Sequence, residues 1–216
     1  MVAPELIEKF KAMDTTSISD AMDRLGLRGG CYGIVPLVAG VKIAGTAFTV
    51  RYRPCGVEKG TIGDFMDDAS PGQVYVIDNG GRPFTVWGDI MTIYAQKLGI
   101  AGTVIDGNCR DIPGILERRY PIFTRGRFMV TGKDRVELDG VNIPVSISDV
   151  KVRPNDIVVG DDTGIIIVPF DKAEAVLKAA VEIEEKEQEI LALVAKGMTL
   201  REARVEMGYH SLQSRK

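Results

Sequence analysis

The sequence predicts an α/β fold on a partly parallel sheet, in one domain spanning residues 1–216. Three observations lead there. β-Favouring runs and helical stretches alternate through the middle of the chain, and strands joined through helices lie parallel. Further β-rich pieces follow, so strand structure continues around that centre. Hydrophobic residues make up 45% of the 216, enough for one sizeable core within the size range of a single domain.

Taken in order, the chain opens with a helical pattern in which Leu6, Ile7, Phe10 and Met13 share a face. "TTSISDAMDRLG" supplies Ser and Thr caps, then Ile18, Ala21, Met22 and Leu25, and stops at Gly26. "GGCYGIVPLVAG" reads as loop, and "VKIAGTAFTVRYRP" alternates as a strand closed by Pro54. "TIGDFMDDA" reads as a short helix with Asp67 and Asp68 on a solvated face, and "SPGQ" as a turn. "VYVID" is a compact strand, followed by the flexible "NGGRP". "DIMTIYAQKLG" predicts a helix with Asp89 as N-cap and Gly99 as its stop. "GTVID" is the next strand, and "IPGILERR" a short helix with Pro113 in its first turn. "IFTRG", "RFMV", "IPVSIS" and "DIVVG" are short β-rich pieces, and "GDDTGIIIVP" is a turn feeding a buried strand. A long helix runs over 171–195, and the polar tail after His210 is expected to be loose. There is no internal repeat and no low-complexity linker.

Composition narrows the function. Net charge is −3 with no basic block, which gives nucleic-acid binding little electrostatic support. The three cysteines, Cys31, Cys55 and Cys109, form no CxxC pair, and their odd number suits a reduced cytosol better than a disulfide framework. No stretch approaches the roughly 20 apolar residues of a membrane span, and the N-terminus has no apolar core of signal-peptide type. A cytoplasmic protein without membrane or nucleic-acid partners is expected. The one histidine, His210, argues against a Ser–His–Asp triad, and no HExxH zinc site or P-loop is present. "DNGGRP" follows a strand but lacks the GxGxxG of a dinucleotide site.

What remains is acidic residues, arginine and helix N-termini. "WGDIM" and "GNCRDIPG" each fall after a strand and before a helix, where α/β sheets place ligands. A helix N-terminus offers free N–H groups and a positive dipole end to a carboxylate. Arg110 suits bidentate anion binding, and Asp111 suits a hard cation such as Mg²⁺. The plainer alternative makes Asp89 and Asp111 simple N-caps and pairs Arg110 with a nearby acid. Trp87 is expected to pack under the turn, and Cys109 to be a passive thiol.

The chain resembles the family of class II, metal-dependent 4-hydroxy-4-methyl-2-oxoglutarate aldolases, which also includes the regulator of RNase activity A and proteins misnamed menaquinone methyltransferases. The resemblance covers nearly the whole chain and rests above all on "WGDIMTIYAQKLGIAGTVIDGNCRD", with support from "SISDAMDRLG", "IAGTAFTV", "PGQVYVID", "PIFTRG" and "VRPNDIVVGDDTGIIIVP". It implies a layered α/β/α arrangement with a swivelling-domain-like mixed sheet and a long C-terminal helix, assembled as a homotrimer or a pair of trimers. It further implies that Arg110 contacts a bound 2-keto acid and that Asp111 anchors Mg²⁺ or Mn²⁺. Asp89 takes part in proton transfer, and the backbone of Gly88, Asp89, Ile90 and Met91 holds the pyruvyl carboxylate. The implied reaction cleaves a 4-hydroxy-2-keto diacid to pyruvate and a second keto acid, with oxaloacetate decarboxylation as a side activity. A non-catalytic ribonuclease regulator, or another keto-acid decarboxylase or hydratase, is the alternative. Asp89 stands where many members carry the longer Glu.

One further feature lies in the C-terminal helix. At 100° per residue, Val176, Ala180, Ile183, Ile190, Leu191 and Val194 share an arc, and Glu184 and Glu187 fall inside it. A carboxylate on an apolar stripe is costly unless paired or employed. The plainer explanation is a helix tilt that leaves both at a solvated edge. The resemblance implies instead that a C-terminal glutamate reaches the neighbouring subunit's site, with Glu187, nearest the centre of the stripe, acting there in trans and Glu184 as the alternative.

Overall fold

The computed structural model describes residues 3–57 and 60–208. His210 and the tail beyond it lie outside the described residues. The chain runs through helices α1 (Pro4–Ala12) and α2 (Thr15–Arg24), then strands β1 (Val35–Pro36), β2 (Ile43–Pro54) and β3 (Val74–Asp78). Helix α3 (Asp89–Lys97), strand β4 (Gly102–Cys109), helix α4 (Ile112–Glu117) and strand β5 (Ile122–Arg127) form the alternating centre. Strands β6 (Val136–Val141), β7 (Val145–Ile147), β8 (Val150–Val152), β9 (Ile157–Asp161) and β10 (Gly164–Val168) precede helices α5 (Ala173–Ala195) and α6 (Leu200–Glu206).

The main sheet is mixed, in the order β1-β5-β4-β3-β2-β9-β10, with β6 also on β2. β2, β3, β4 and β5 are parallel neighbours, and the remaining pairings are antiparallel. The parallel part arises where α3 and α4 serve as crossovers. Its strands are buried on both faces, as parallel strands usually are. On the side away from β3, β2 serves two partners, with Ile43–Thr46 on β9 and Val50–Pro54 on β6. The sheet nearly closes, because Gly30 bridges Ile166 of β10 while Val35 and Pro36 pair with β5. A Cβ on Gly29 would lie 2.1 Å from the Ile167 carbonyl oxygen, so this close approach requires glycine.

Two apolar clusters hold the layers. Phe10, Ile18, Met22, Val176, Ala180 and Ile183 pack α1, α2 and α5 on Ala44, Ile157, Val159 and Ile166. Ala95 of α3 and Ile115 of α4 belong to the larger cluster with β2 to β5, where Trp87, Tyr75, Phe48 and Phe65 form a chain of ring contacts. The expected layered fold, mixed sheet and long C-terminal helix are present.

Some local readings change. β4 runs on to Cys109 instead of ending at Asp106, across an irregularity in its pairing with β5. "TIGDFMDDA" shortens to a 3₁₀ turn, Met66–Asp68, and the Asp67 carboxylate accepts from the Tyr94 hydroxyl instead of standing free. Within "RFMV" only Arg127 is strand. α2 takes Asp14 as N-cap with no side-chain cap of its own, because Thr15 N–H and hydroxyl both donate to Asp161, at 2.9 and 2.8 Å. α6 was not anticipated, although Thr199 and Glu202 form a complete capping box ahead of it. No helix among the described residues is long and apolar enough to cross a membrane.

Candidate active site

Parallel pairing of β3 and β4, with Asp78 opposite Asp106, sends both chain segments out of the same sheet edge. The segment after β3 reaches Trp87 and Gly88 before α3 begins, and the segment after β4 is only Arg110 and Asp111 before α4. Two bonds join them. Arg110 N–H donates to the Trp87 carbonyl at 3.1 Å, and Asp89 N–H to Asp111 Oδ2 at 3.3 Å. Asp111 sits in the left-handed region, φ 59° and ψ 40°, which Asp tolerates better than most residues. It is the N-cap residue of α4, yet its carboxylate caps nothing in that helix and turns toward Gly88 and Asp89. A Cβ on Gly88 would come within 2.5 Å of Asp111 Oδ2, so glycine is what lets the carboxylate reach this turn.

The Arg110 Nε lies 3.5 Å from Asp111 Oδ2, outside hydrogen-bond range, and both side chains are about 40% exposed (43% and 39%). The two form a loose, half-exposed ion pair, so the plainer expectation that Arg110 pairs with a nearby acid is met by Asp111 itself. Asp89 begins α3, and Gly88 takes the N-cap position, a one-residue correction to the expected cap. The Asp89 Oδ1 accepts from Ile90 N–H at 2.7 Å, which places a carboxylate on one of the first-turn amides. Arg110, Asp111, Asp89 and the turn Gly88–Met91 thus share one open cavity of about 310 Å³, also lined by Thr61, Ile62, Thr85, Thr131 and Lys133. Ile90 is largely exposed beside it, and Met91 half-buried.

Trp87 packs under the turn as expected, 2% exposed and stacked on Tyr120 with ring centroids 6.0 Å apart. Cys109 is buried and its thiol is pushed up to about 11 by burial, which keeps it protonated and unreactive. Lys133, Thr61 and Thr131 were not anticipated. They come from loops distant in sequence, and only the chain path around β6 brings them to the cavity.

Glu187 does not line this cavity within the same chain. It is half-buried on α5, and its carboxyl is raised by burial and by the negative charges of Asp20 and Glu184. Of the apolar arc, Val176, Ala180, Ile183 and Ile190 are buried, whereas Leu191 is 60% and Val194 37% exposed. The "GDDTG" carboxylates form the expected turn between β9 and β10 and lie away from the cavity.

A larger cavity of about 560 Å³ lies between α2 and β8, lined by Arg28, Lys151 and Arg153 but also by Asp23, Asp149 and Asp156. Its charges balance, and both Asp156 oxygens are taken by the Arg153 and Phe170 amides. The smaller cavity has the better chemistry. Among the described residues no three acidic, histidine or cysteine side chains form a closed metal cage. Asp111, with Asp89 on the same cavity, instead fits a hard, hydrated cation that takes one or two carboxylates and leaves its other positions to water and ligand.

Two carboxylates, a half-exposed guanidinium and the N-terminus of α3 thus lie around one cavity at the carboxyl edge of the parallel strands, where α/β sheets usually place ligands. Residues 15–167 match the RraA-like family model, described as Aldolase/RraA, and the chain belongs to that family. Protein DlpA of Legionella pneumophila is 37% identical over 211 residues, 95% of this chain, but the chain spans only 34% of that relative's length. A protein of Halalkalibacterium halodurans named "Putative 4-hydroxy-4-methyl-2-oxoglutarate aldolase" is 36% identical over 177 residues, covering 82% of each chain. The crystal structure of an uncharacterized protein from Pseudomonas syringae pv. tomato superposes with a TM-score of 0.87 at 40% identity, covering 94% of this chain and 98% of the other.

Proposed function

We propose that this protein is a divalent-metal-dependent lyase that cleaves a 4-hydroxy-2-keto diacid to pyruvate and a second keto acid. The observation that carries the reading is the placement of Asp89, Arg110 and Asp111 on one cavity, with Arg110 and Asp111 joined only by a half-exposed pair 3.5 Å long. The aldolase name of the Halalkalibacterium relative supports it.

Asp111 would hold the cation, Mg²⁺ or Mn²⁺, whose Lewis acidity stabilises negative charge developing on a keto oxygen. The chain's own residues do the rest. Arg110 grips the keto acid and adds positive charge where negative charge develops. The N-terminal turn of α3 receives the pyruvyl carboxylate, which would replace the Asp111 and Asp89 carboxylates that now accept from the Asp89 and Ile90 amides. Asp89, through water, takes the proton of the C4 hydroxyl. The bond between C3 and C4 then breaks, C4–O becomes a carbonyl, and the electron pair passes to the pyruvyl half, whose C3 is finally protonated to the methyl group. Oxaloacetate would lose carbon dioxide to the same electron sink, so decarboxylation is the expected side activity. Lys133, on the same cavity as Arg110, gives it a second cation and favours a diacid over a monoacid.

Glu187 enters this scheme only from a neighbouring subunit of a trimer or pair of trimers. Mixing inactive Glu187→Gln with inactive Asp111→Ala subunits should restore part of the activity, and a fully active Glu187→Gln protein removes the residue from the mechanism. The reaction itself is tested by lactate dehydrogenase-coupled pyruvate release over a panel of 4-hydroxy-2-keto diacids and oxaloacetate with Mg²⁺. No release from any member rejects the lyase reading.

A further inference from the structure

We propose that Thr92 is a positioning residue that locks the Gly88–Met91 turn in place through the indole of Trp87. Thr92 is fully buried in the first turns of α3. Its hydroxyl accepts from Trp87 Nε1–H at 2.9 Å and donates to the Gly88 carbonyl at 2.9 Å. That carbonyl already accepts from Thr92 N–H at 3.1 Å, so one residue holds the N-cap carbonyl twice. Helix formation needs only the backbone bond, so the hydroxyl's contribution is to tie the turn to the indole.

The indole is fixed in turn. It stacks on Tyr120 at an interplanar angle of 7°, and the Tyr120 hydroxyl is bonded to Thr103 Oγ1 of β4 at 2.9 Å. The backbone carbonyl of Trp87 accepts from Arg110 N–H. Trp87 is therefore bound at both ends, with its ring N–H holding the turn of α3 through Thr92 and its carbonyl holding the Arg110–Asp111 segment. Thr92 does not itself line the cavity, and it acts on the site only through Trp87 and Gly88, which do. The spacing between the turn amides and Asp111, which a keto acid would have to match, is set by this tie. Misplacement of about 1 Å at such a site costs roughly 100-fold in rate.

The inference rests on the reading of this cavity as the ligand site, and its test separates the two. Thr92→Val keeps the side-chain shape and deletes the hydroxyl, Thr92→Ser restores it, and Trp87→Phe keeps a ring on Tyr120 but removes the N–H. The full-length variants are compared by amide hydrogen exchange over residues 88–92 and by oxalate binding with Mg²⁺. Thr92→Val and Trp87→Phe should each speed exchange in the turn and weaken oxalate by roughly tenfold, the scale of one buried hydrogen bond. Thr92→Ser should stay within about twofold, and the Val/Phe double variant should lose less than the sum of the singles. Both singles remove the bond from Trp87 Nε1 to the Thr92 hydroxyl, although Thr92→Val also removes the donation to the Gly88 carbonyl. Exchange unchanged in Thr92→Val and Trp87→Phe, or fully additive losses in the double variant, would overturn the proposal. Should Thr92→Val fail to fold, Trp87→Phe and Thr92→Ser carry the same comparison. Exchange needs neither substrate nor turnover, so a protein that releases no pyruvate sinks the lyase reading while the exchange result still decides the role of Thr92.

Discussion

Two turns in this molecule place an aspartate at the end of a strand, and they use it differently. At the β9–β10 turn, Asp161 accepts from Thr15 N–H, the Thr15 hydroxyl and Thr163 N–H, and Asp162 accepts from Gly40 N–H. Just past β4, the Asp111 carboxylate accepts a long bond from Asp89 N–H and forms a loose, half-exposed ion pair with Arg110 at 3.5 Å. The first turn has spent its acceptors on docking α2 to the sheet. The second has kept them, at the cost of a left-handed aspartate and an obligatory glycine opposite. Acidic residues alone do not mark a site; unspent hydrogen-bonding capacity facing a cavity does.

The contrast breaks first at Arg110. Arg110→Lys keeps the charge but loses the planar fork, and turnover should fall by about 10²–10³-fold with an intact circular dichroism spectrum, the usual cost of a preorganised donor. Near-normal kinetics would return Arg110 to a structural role. Gly88→Ala should come next. Its methyl group meets Asp111 Oδ2, a mobile side-chain end, so the fold should survive while the carboxylate is displaced. Metal affinity measured by calorimetry should fall about 10–100-fold, as for other groups that orient a ligand.

Lys133→Met sharpens the picture of the substrate. KM for a 4-hydroxy-2-keto diacid should rise about tenfold, limited by the solvent exposure of the ammonium, while a monoacid analogue should be little affected. An equal loss on both substrates would remove Lys133 from diacid recognition. Asp161→Asn should leave pyruvate release unchanged and alter only stability. Burial raises the Asp161 carboxyl, but the bonds from Thr15 and Thr163 outweigh it and hold it below the ordinary aspartate value. A carboxyl lowered by folding stabilises the protein above its unfolded pKa, and that contribution is lost as pH falls through the folded value. Acid denaturation of Asp161→Asn should therefore show a shallower loss of stability in that range than the parent protein.

The legible parts of the sequence were those with local causes. "VYVID" coincides with β3, and Pro113 and Gly99 mark the ends of their helices as their backbone chemistry requires. Strand, loop and helix signals converge at Asp89, Arg110 and Asp111, but spacing alone read them equally as caps and an ion pair, and their roles, with the Gly88–Met91 turn, came from the family resemblance. β6 was hidden because "VELDGV" lies half-exposed beside a β2 that has already left β9, so its pairing depends on a distant strand. Lys133 was invisible for the same reason, since no local pattern says that a loop before β6 faces the end of β4. The capping box of Thr199 and Glu202 was readable and overlooked. A role for Glu187 in trans would depend on contacts between chains, which a single chain's periodicity does not encode.

In the proposed reading Asp111, held only by a long bond and a half-exposed ion pair, makes this cavity a metal-dependent keto-acid lyase site. The direct measurement is pyruvate release from the best 4-hydroxy-2-keto diacid in EDTA, then with Mg²⁺ or Mn²⁺ restored, for the parent protein and Asp111→Ala. Activity should vanish in EDTA, return with either cation in the parent protein, and stay absent in a folded Asp111→Ala, with borohydride and pyruvate trapping no adduct. Full activity in EDTA, or a lysine adduct trapped by borohydride, would contradict it.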